Sequence, residues 1–132
     1  MKLVLDTSAY IDFAEGRPDV VELLSGQKDE VFLPAPVLGE LFYAFMKGSR
    51  LKYNEKKLQE FIGVLAVSII EVTEEISRKY ALIYLSLSAK GVRIPINDVW
   101  IAACCMGVGG TLVTRDRHFD RVDQIDKMVL PA

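Results

Sequence analysis

Four carboxylate side chains lie in settings that an α/β fold would bring together. Asp6 follows an apolar run in VLDTSAYID, Glu40 lies in PAPVLGELFYAF, Asp98 opens INDVWIAACC and Asp116 lies in LVTRDRHF. Each falls at a strand end or near a helix start. In an open α/β sheet the carboxyl ends of the strands and the adjoining helix starts line one crevice, so acids far apart in sequence can converge there. Convergent carboxylates without paired bases suggest a divalent cation, and Mg²⁺ and Mn²⁺ select such oxygen ligands. A cation held this way activates water and stabilises a reacting phosphate, which makes metal-dependent phosphodiester hydrolysis the leading chemistry.

Singly, each acid has an ordinary role. Asp6 can cap a helix, Glu40 can be favoured by a helix dipole, and Asp116 can be held by its own loop backbone. Asn97 and Asp98 compete for one cap; with Asn97 capping, the Asp98 carboxylate is free to face the crevice. Jointly these roles explain less, because Asp6 and Asp116 both follow apolar strands. Asp98 opens a helix too apolar to lie anywhere but against the sheet.

The elements that must position these acids read as alternating strands and helices. Residues 2–5 form a buried strand, Asp6-Thr7-Ser8 caps a helix through residue 13, and a second helix runs over residues 18–24 with Pro18 in its first turn. A polar turn covers residues 26–29 and a strand follows at 31–33. Pro34 and Pro36 introduce a helix over 37–46 whose apolar face is Val37, Leu38, Leu41, Phe42 and Phe45. Beyond a loop at 47–50, Asn54 begins a helix to residue 65, a third strand lies within 66–72, and Thr73 caps a long helix over 74–89 that Gly91 ends. The helix over 99–106 is apolar nearly all round and stops at Gly107, Gly109 and Gly110; a strand at 112–113, the TRDRHF loop and a short last strand at 128–130 complete the chain. This alternation predicts a parallel sheet with helices on both sides.

Length and composition suit one domain, taken as residues 1–132, with 51% hydrophobic and 26% charged residues. No stretch approaches the roughly 20 apolar residues of a spanning helix, and MKLVLDTS reaches an acid before a signal-peptide core could form, so a cytoplasmic protein is expected. Cys104 and Cys105 are adjacent in an apolar helical run, which suits core thiols rather than a disulfide or a metal site. The net charge of −2 is not that of a protein that coats nucleic acid, so any nucleic-acid binding should be local and metal-assisted.

In the order DTS, GELFYA, NDVWIAA and TRDRHF, the chain resembles the PIN-domain ribonucleases, especially the small VapC-like toxins of prokaryotic toxin-antitoxin pairs. The resemblance spans essentially the whole chain. It implies a three-layer α/β/α sandwich with a central parallel sheet, acids that bind Mg²⁺ or Mn²⁺, and endonucleolytic cleavage of RNA to 5′-phosphate and 3′-hydroxyl products. Asp6, Glu40, Asp98 and Asp116 match the family's acidic positions. Asp6 and Asp98 are expected as direct metal ligands with Asp116 next, while Glu40 binds through water or assists as a base. Thr114 matches the hydroxyl position that holds a carboxylate or water, and Thr7 and Ser8 do the same for Asp6 or cap its helix. Arg115 and Arg117 flank Asp116 and are expected to meet the RNA backbone. His118 is the only histidine, which rules out a histidine-pair mechanism within one chain and leaves it a surface role or a phosphate contact. The aromatic surplus at Phe42, Tyr43, Phe45 and Met46 suits a homodimer or a cognate antitoxin.

Three rival readings stand beside this one. An aspartyl-nucleophile phosphatase would use Asp6 but usually wants a second Asp two positions on, where Ser8 stands. A nucleotide-binding module would need the Gly107-Val108-Gly109-Gly110 cluster to link a strand to a helix start, and here it follows a helix. A catalytically silent interaction module would keep the fold without the activity.

Overall fold

The computed structural model describes residues 1–26 and 29–131, so the polar turn expected over residues 26–29 lies partly outside the described residues. The elements run β1 (Lys2–Leu5), α1 (Thr7–Ala14), α2 (Pro18–Leu24), β2 (Glu30–Pro34), α3 (Ala35–Lys47), α4 (Leu51–Val64), β3 (Ser68–Ile70), α5 (Glu74–Ala89), α6 (Ile96–Val108), β4 (Thr111–Thr114), a 3₁₀ helix (Arg117–Arg121) and β5 (Asp126–Val129). The five strands form one sheet in the order β3-β2-β1-β4-β5, every neighbouring pair parallel. The α/β class and helix-flanked parallel sheet expected from the sequence are therefore present.

Strand order decides where a site can form. From β1 the chain builds β2 and β3 to one side, then crosses back to lay β4 and β5 on the other. The switch point falls between β1 and β4, paired Leu3 to Thr111 through Leu5 to Val113. Both strands are buried on both faces, with Leu3, Val4, Leu5, Leu112 and Val113 fully enclosed, as their unbroken apolar runs require.

Helix α6 packs against α3, α5, β2 and β4. Burial of Val99, Ile101, Ala102, Ala103, Cys104 and Cys105 shows why its sequence lacks a polar face. Its end is set by Gly109, whose φ of 66° closes the helix in the left-handed region. Gly110 then brings the chain against β1: a Cβ there would lie 2.8 Å from Val4 Cγ2 and 3.1 Å from the Lys2 carbonyl oxygen.

Several boundaries differ from the sequence reading. Helix α6 starts at Ile96 with Pro95 as its extended cap, and the Pro95 carbonyl accepts the Asp98 N–H at 2.9 Å. Asn97 is therefore an exposed first-turn residue, not the cap, because the backbone of Pro95 already fills that role. Helix α4 begins at Leu51 instead of Asn54, with the Arg50 guanidinium 4.0 Å over the Tyr53 ring in its first turn. Part of the TRDRHF loop winds into the 3₁₀ helix, capped by Asp116, and β5 begins at Asp126 to pair with Thr111.

Candidate metal centre

Asp6 leaves β1 at the switch point and caps α1. Its Oδ1 accepts the Ala9 N–H at 2.9 Å and the Ser8 hydroxyl at 2.8 Å, while Oδ2 accepts the Thr114 hydroxyl at 2.5 Å. The same two hydroxyls accept backbone N–H groups from the segment after β4, Ser8 Oγ from Arg115 at 3.1 Å and Thr114 Oγ1 from Asp116 at 2.9 Å. Capping and site-building are thus one arrangement. Ser8 and Thr114 bolt the Asp6 carboxylate to the backbone that carries Asp116. Burial of Asp6 raises its pKa above the ordinary 3.8; the bonds from Thr114, Ala9 and Ser8 oppose this, and the Asp116 charge adds to it.

Asp98 lies in the first turn of α6, where the helix dipole favours an anion. Burial and the neighbouring Asp116 outweigh that preference. The Asp98 pKa is pushed from 3.8 up to about 6, first by desolvation, then by Asp116, with a smaller push from Glu40 and a partial offset from His118. Asp116 therefore acts electrostatically on both Asp6 and Asp98, and Glu40 acts on Asp98, so the four acids singled out in the sequence form one connected group.

Thr7 does not serve Asp6. Its hydroxyl donates to Glu40 Oε1 at 3.1 Å and so links the start of α1 to the second turn of α3.

One ligand atom each from Asp98, Asp116 and His118 come within 4.8 Å of one another. His118 Nδ1 is 3.1 Å from Asp116 Oδ1 and 3.4 Å from Asp98 Oδ2; since carboxylate oxygens only accept, the contact calls for the proton on Nδ1. The lone histidine thus sits at the mouth of the cluster, a place its spacing two residues after Asp116 could have suggested. Side-chain exposure rises from 15% at Asp98 to 38% at Asp116 and 53% at His118, so the group opens to solvent while Asp6 remains buried behind it. Two clustered carboxylates, one held partly neutral by burial and a like charge, suit a hard divalent cation such as Mg²⁺ or Mn²⁺. Asp6 Oδ1 accepts two hydrogen bonds and Oδ2 one, so Oδ2 keeps a lone pair for a cation beside the more exposed oxygens of Asp98 and Asp116.

Asp12 escaped the sequence reading. It is 1% exposed and receives a two-point grip from Arg115, Nη2 to Oδ1 at 2.6 Å and Nε to Oδ2 at 3.0 Å. The signal was present in the helical spacing, because Asp12 follows Ser8 by four residues and shares its face. The Arg115 fork neutralises this buried carboxylate and anchors the start of the Asp116 segment. Arg117 is 79% exposed and pairs with Asp120 at 3.0 Å. Cys104 and Cys105 are buried thiols with pKa values pushed up to about 11 and about 12, in keeping with inert core residues. Among the described residues no helix is long and apolar enough to cross a membrane.

Comparison with known proteins agrees with this fold. The chain is 28% identical over 126 residues to Ribonuclease VapC5 of Mycobacterium tuberculosis, covering 91% of this chain and 87% of that protein. It is also 28% identical over 130 residues to Ribonuclease VapC2 of Rickettsia felis, covering 95% of each. Among solved structures, VapBC2 from Rickettsia felis bound to a promoter DNA fragment aligns over 98% of both chains with a TM-score of 0.88 and 25% identity. The fold is shared with VapBC-1 from nontypeable Haemophilus influenzae, at a TM-score of 0.85 and 20% identity over 98% of each chain. The PIN domain family matches residues 3–125, and the chain belongs to the PIN-domain family.

Proposed function

We propose that this protein is a metal-dependent endoribonuclease and the toxin of a toxin-antitoxin pair. The observation that carries the reading is the acidic group at the switch point, in which Asp116 acts on both Asp6 and Asp98. Ribonuclease relatives support RNA as the substrate, and the complexes among its structural neighbours support a protein antitoxin.

Asp98 and Asp116 would offer oxygens to hold Mg²⁺ or Mn²⁺, and Asp6, tied through Thr114 and Ser8 to the backbone that carries Asp116, would add one oxygen of its own. When bound, the cation supplies positive charge at the phosphate and activates water for in-line displacement. Glu40, whose charge acts on Asp98 and whose Oε1 accepts from Thr7, would bind the cation through water or assist as a base. Thr114 and Ser8 keep Asp6 in register with the Asp116 backbone, so their part is positional. Arg117, with its weak exposed pair, can exchange Asp120 for a phosphate. Asp120 is then a charge-balancing neighbour, not a member of the acidic group.

The homodimer expected from the aromatics of α3 belongs to the same proposal. Phe42 and Phe45 pack partly into the core, whereas Tyr43 and Met46 are 66% and 70% exposed and are the side chains left to cover.

Purified protein freed of antitoxin should cleave RNA with Mg²⁺ or Mn²⁺ and stop in EDTA, and Asp98→Asn or Asp116→Asn should abolish cleavage while keeping the fold. Cleavage that survives both substitutions would sink the assignment. A folded wild type without metal-dependent cleavage on any RNA would favour the silent interaction module.

A further inference from the structure

We infer that Arg93 and Arg121 form a phosphate-binding track for the RNA strand beside the acidic group, in a cleft between the loop that precedes α6 and the 3₁₀ helix. The inference rests on the ribonuclease reading for its ligand. Its geometry stands apart from that reading.

The cleft has a volume of about 570 Å³ and is lined by residues 91–94 on one side and by Arg117, His118, Asp120 and Arg121 on the other. His118 belongs to both places, since its Nδ1 lies 3.1 Å from Asp116 and 3.4 Å from Asp98. A strand with one phosphate at the acids therefore has this cleft as an adjoining path. The two walls are tied together by Lys90, at the end of α5, whose Nζ donates to the Arg121 carbonyl oxygen at 3.4 Å and pairs with Asp123.

Charge pairing sets these two arginines apart from their neighbours. Arg115 is closed on Asp12, Arg117 pairs with Asp120, and Lys90 pairs with Asp123. The side chains of Arg93 and Arg121 make no hydrogen bond or ion pair among the described residues. Two exposed arginines thus line one cleft whose one lining carboxylate, Asp120, is paired with Arg117.

The protein as a whole carries a charge of −2, and the acids at the site repel a polyanion. Affinity for RNA must come from cations near the site that are free to meet phosphates, and guanidinium groups do so through paired N–H donors. Arg93 and Arg121 are accordingly positioning residues. They hold the flanking strand so that the scissile phosphate rests at the acids.

The test is binding of a fluorescent single-stranded oligoribonucleotide in EDTA between 50 and 200 mM salt, followed by steady-state cleavage in Mg²⁺. For single strands each phosphate contact adds about 0.7 to the slope of log affinity on log salt, so Arg93→Ala/Arg121→Ala should flatten the slope by about 1.4. Over that fourfold range of salt, its affinity deficit should shrink about sevenfold. Arg93→Lys/Arg121→Lys should keep most of the slope, and Arg78→Ala, which removes a remote exposed arginine paired with Glu74, should leave it unchanged. In cleavage the double alanine variant should raise KM far more than it lowers kcat.

A double alanine variant with wild-type affinity and slope would overturn the track. If the slope falls but wild type cleaves no RNA in Mg²⁺, the track stands and the nuclease reading fails. If wild type cleaves and the slope is untouched, the nuclease reading stands and the track fails.

Discussion

Asp98 shows how the site stores electrostatic tension. With a pKa of about 6 in the folded chain against an ordinary 3.8, the carboxyl favours its neutral form when folded. The stabilisation this group contributes to the metal-free protein is thus complete below about pH 4 and is lost as pH rises through about 6. The full swing is on the order of 3 kcal/mol. In EDTA at pH 7.5, Asp98→Asn should be at least as stable as wild type to urea, and that advantage should fade toward pH 4. A large loss of stability in the variant at pH 7.5 would instead make Asp98 a structural residue. The other informative pair is Asp12 with Arg115. Arg115→Ala leaves a carboxylate that is 1% exposed without its cation and should cost about 3 kcal/mol. Arg117→Ala breaks only an exposed pair and should stay within about 0.5 kcal/mol of wild type in the same urea titration.

At the scale of elements, β1 and β4 are joined by their parallel ladder and, at their ends, by a close backbone approach at Gly110 and the hydroxyls of Ser8 and Thr114. Gly110 lets the start of β4 approach Val4 and the Lys2 carbonyl, where a Cβ would sit at 2.8 and 3.1 Å. Gly110→Ala must displace a backbone oxygen as well as a side chain, and should destabilise by about 1–3 kcal/mol. Because the shift propagates along β4 toward Thr114, metal response should weaken along with stability. At Gly109 the difficulty is conformational: φ of 66° with open space around it predicts a smaller loss of about 1 kcal/mol for Gly109→Ala, with metal response retained. Thermal midpoints with and without Mn²⁺ separate the two cases.

For the molecule as a whole, cation binding should register as folding stability. A cation at about 100 times its dissociation constant adds roughly 2.7 kcal/mol when it binds only the folded state, and a domain of this size then melts several degrees higher. Mn²⁺ should therefore raise the wild-type midpoint clearly and that of Asp98→Asn much less; an equal response in both would remove Asp98 from the metal centre. The exposed Tyr43 and Met46 bear on assembly. Sedimentation should show a dimer in the micromolar range that Tyr43→Glu/Met46→Glu converts to monomer, whereas a wild-type monomer at all concentrations would remove the dimer from the proposal.

Local chemistry in the sequence was enough to establish the alternation of strands and helices and the buried character of α6, and to single out four acids that the fold brings into one group. Apolar periodicity, turn residues and strand-end carboxylates are all properties of neighbouring positions. Even the unbroken apolar run of β1 shows that it lies inside the sheet. Partner choice was another matter. That Thr7 turns to Glu40 while Ser8 turns to Asp6 depends on where α3 and β4 lie relative to α1, and adjacent hydroxyls on a helix point in different directions. The grip of Arg115 on Asp12 joins positions 103 apart, and His118 meets Asp98 across 20 residues. Those contacts exist because the strand order β3-β2-β1-β4-β5 sets β4 directly beside β1. The crossover that makes this order is a packing choice of the whole chain, and no window of sequence contains it.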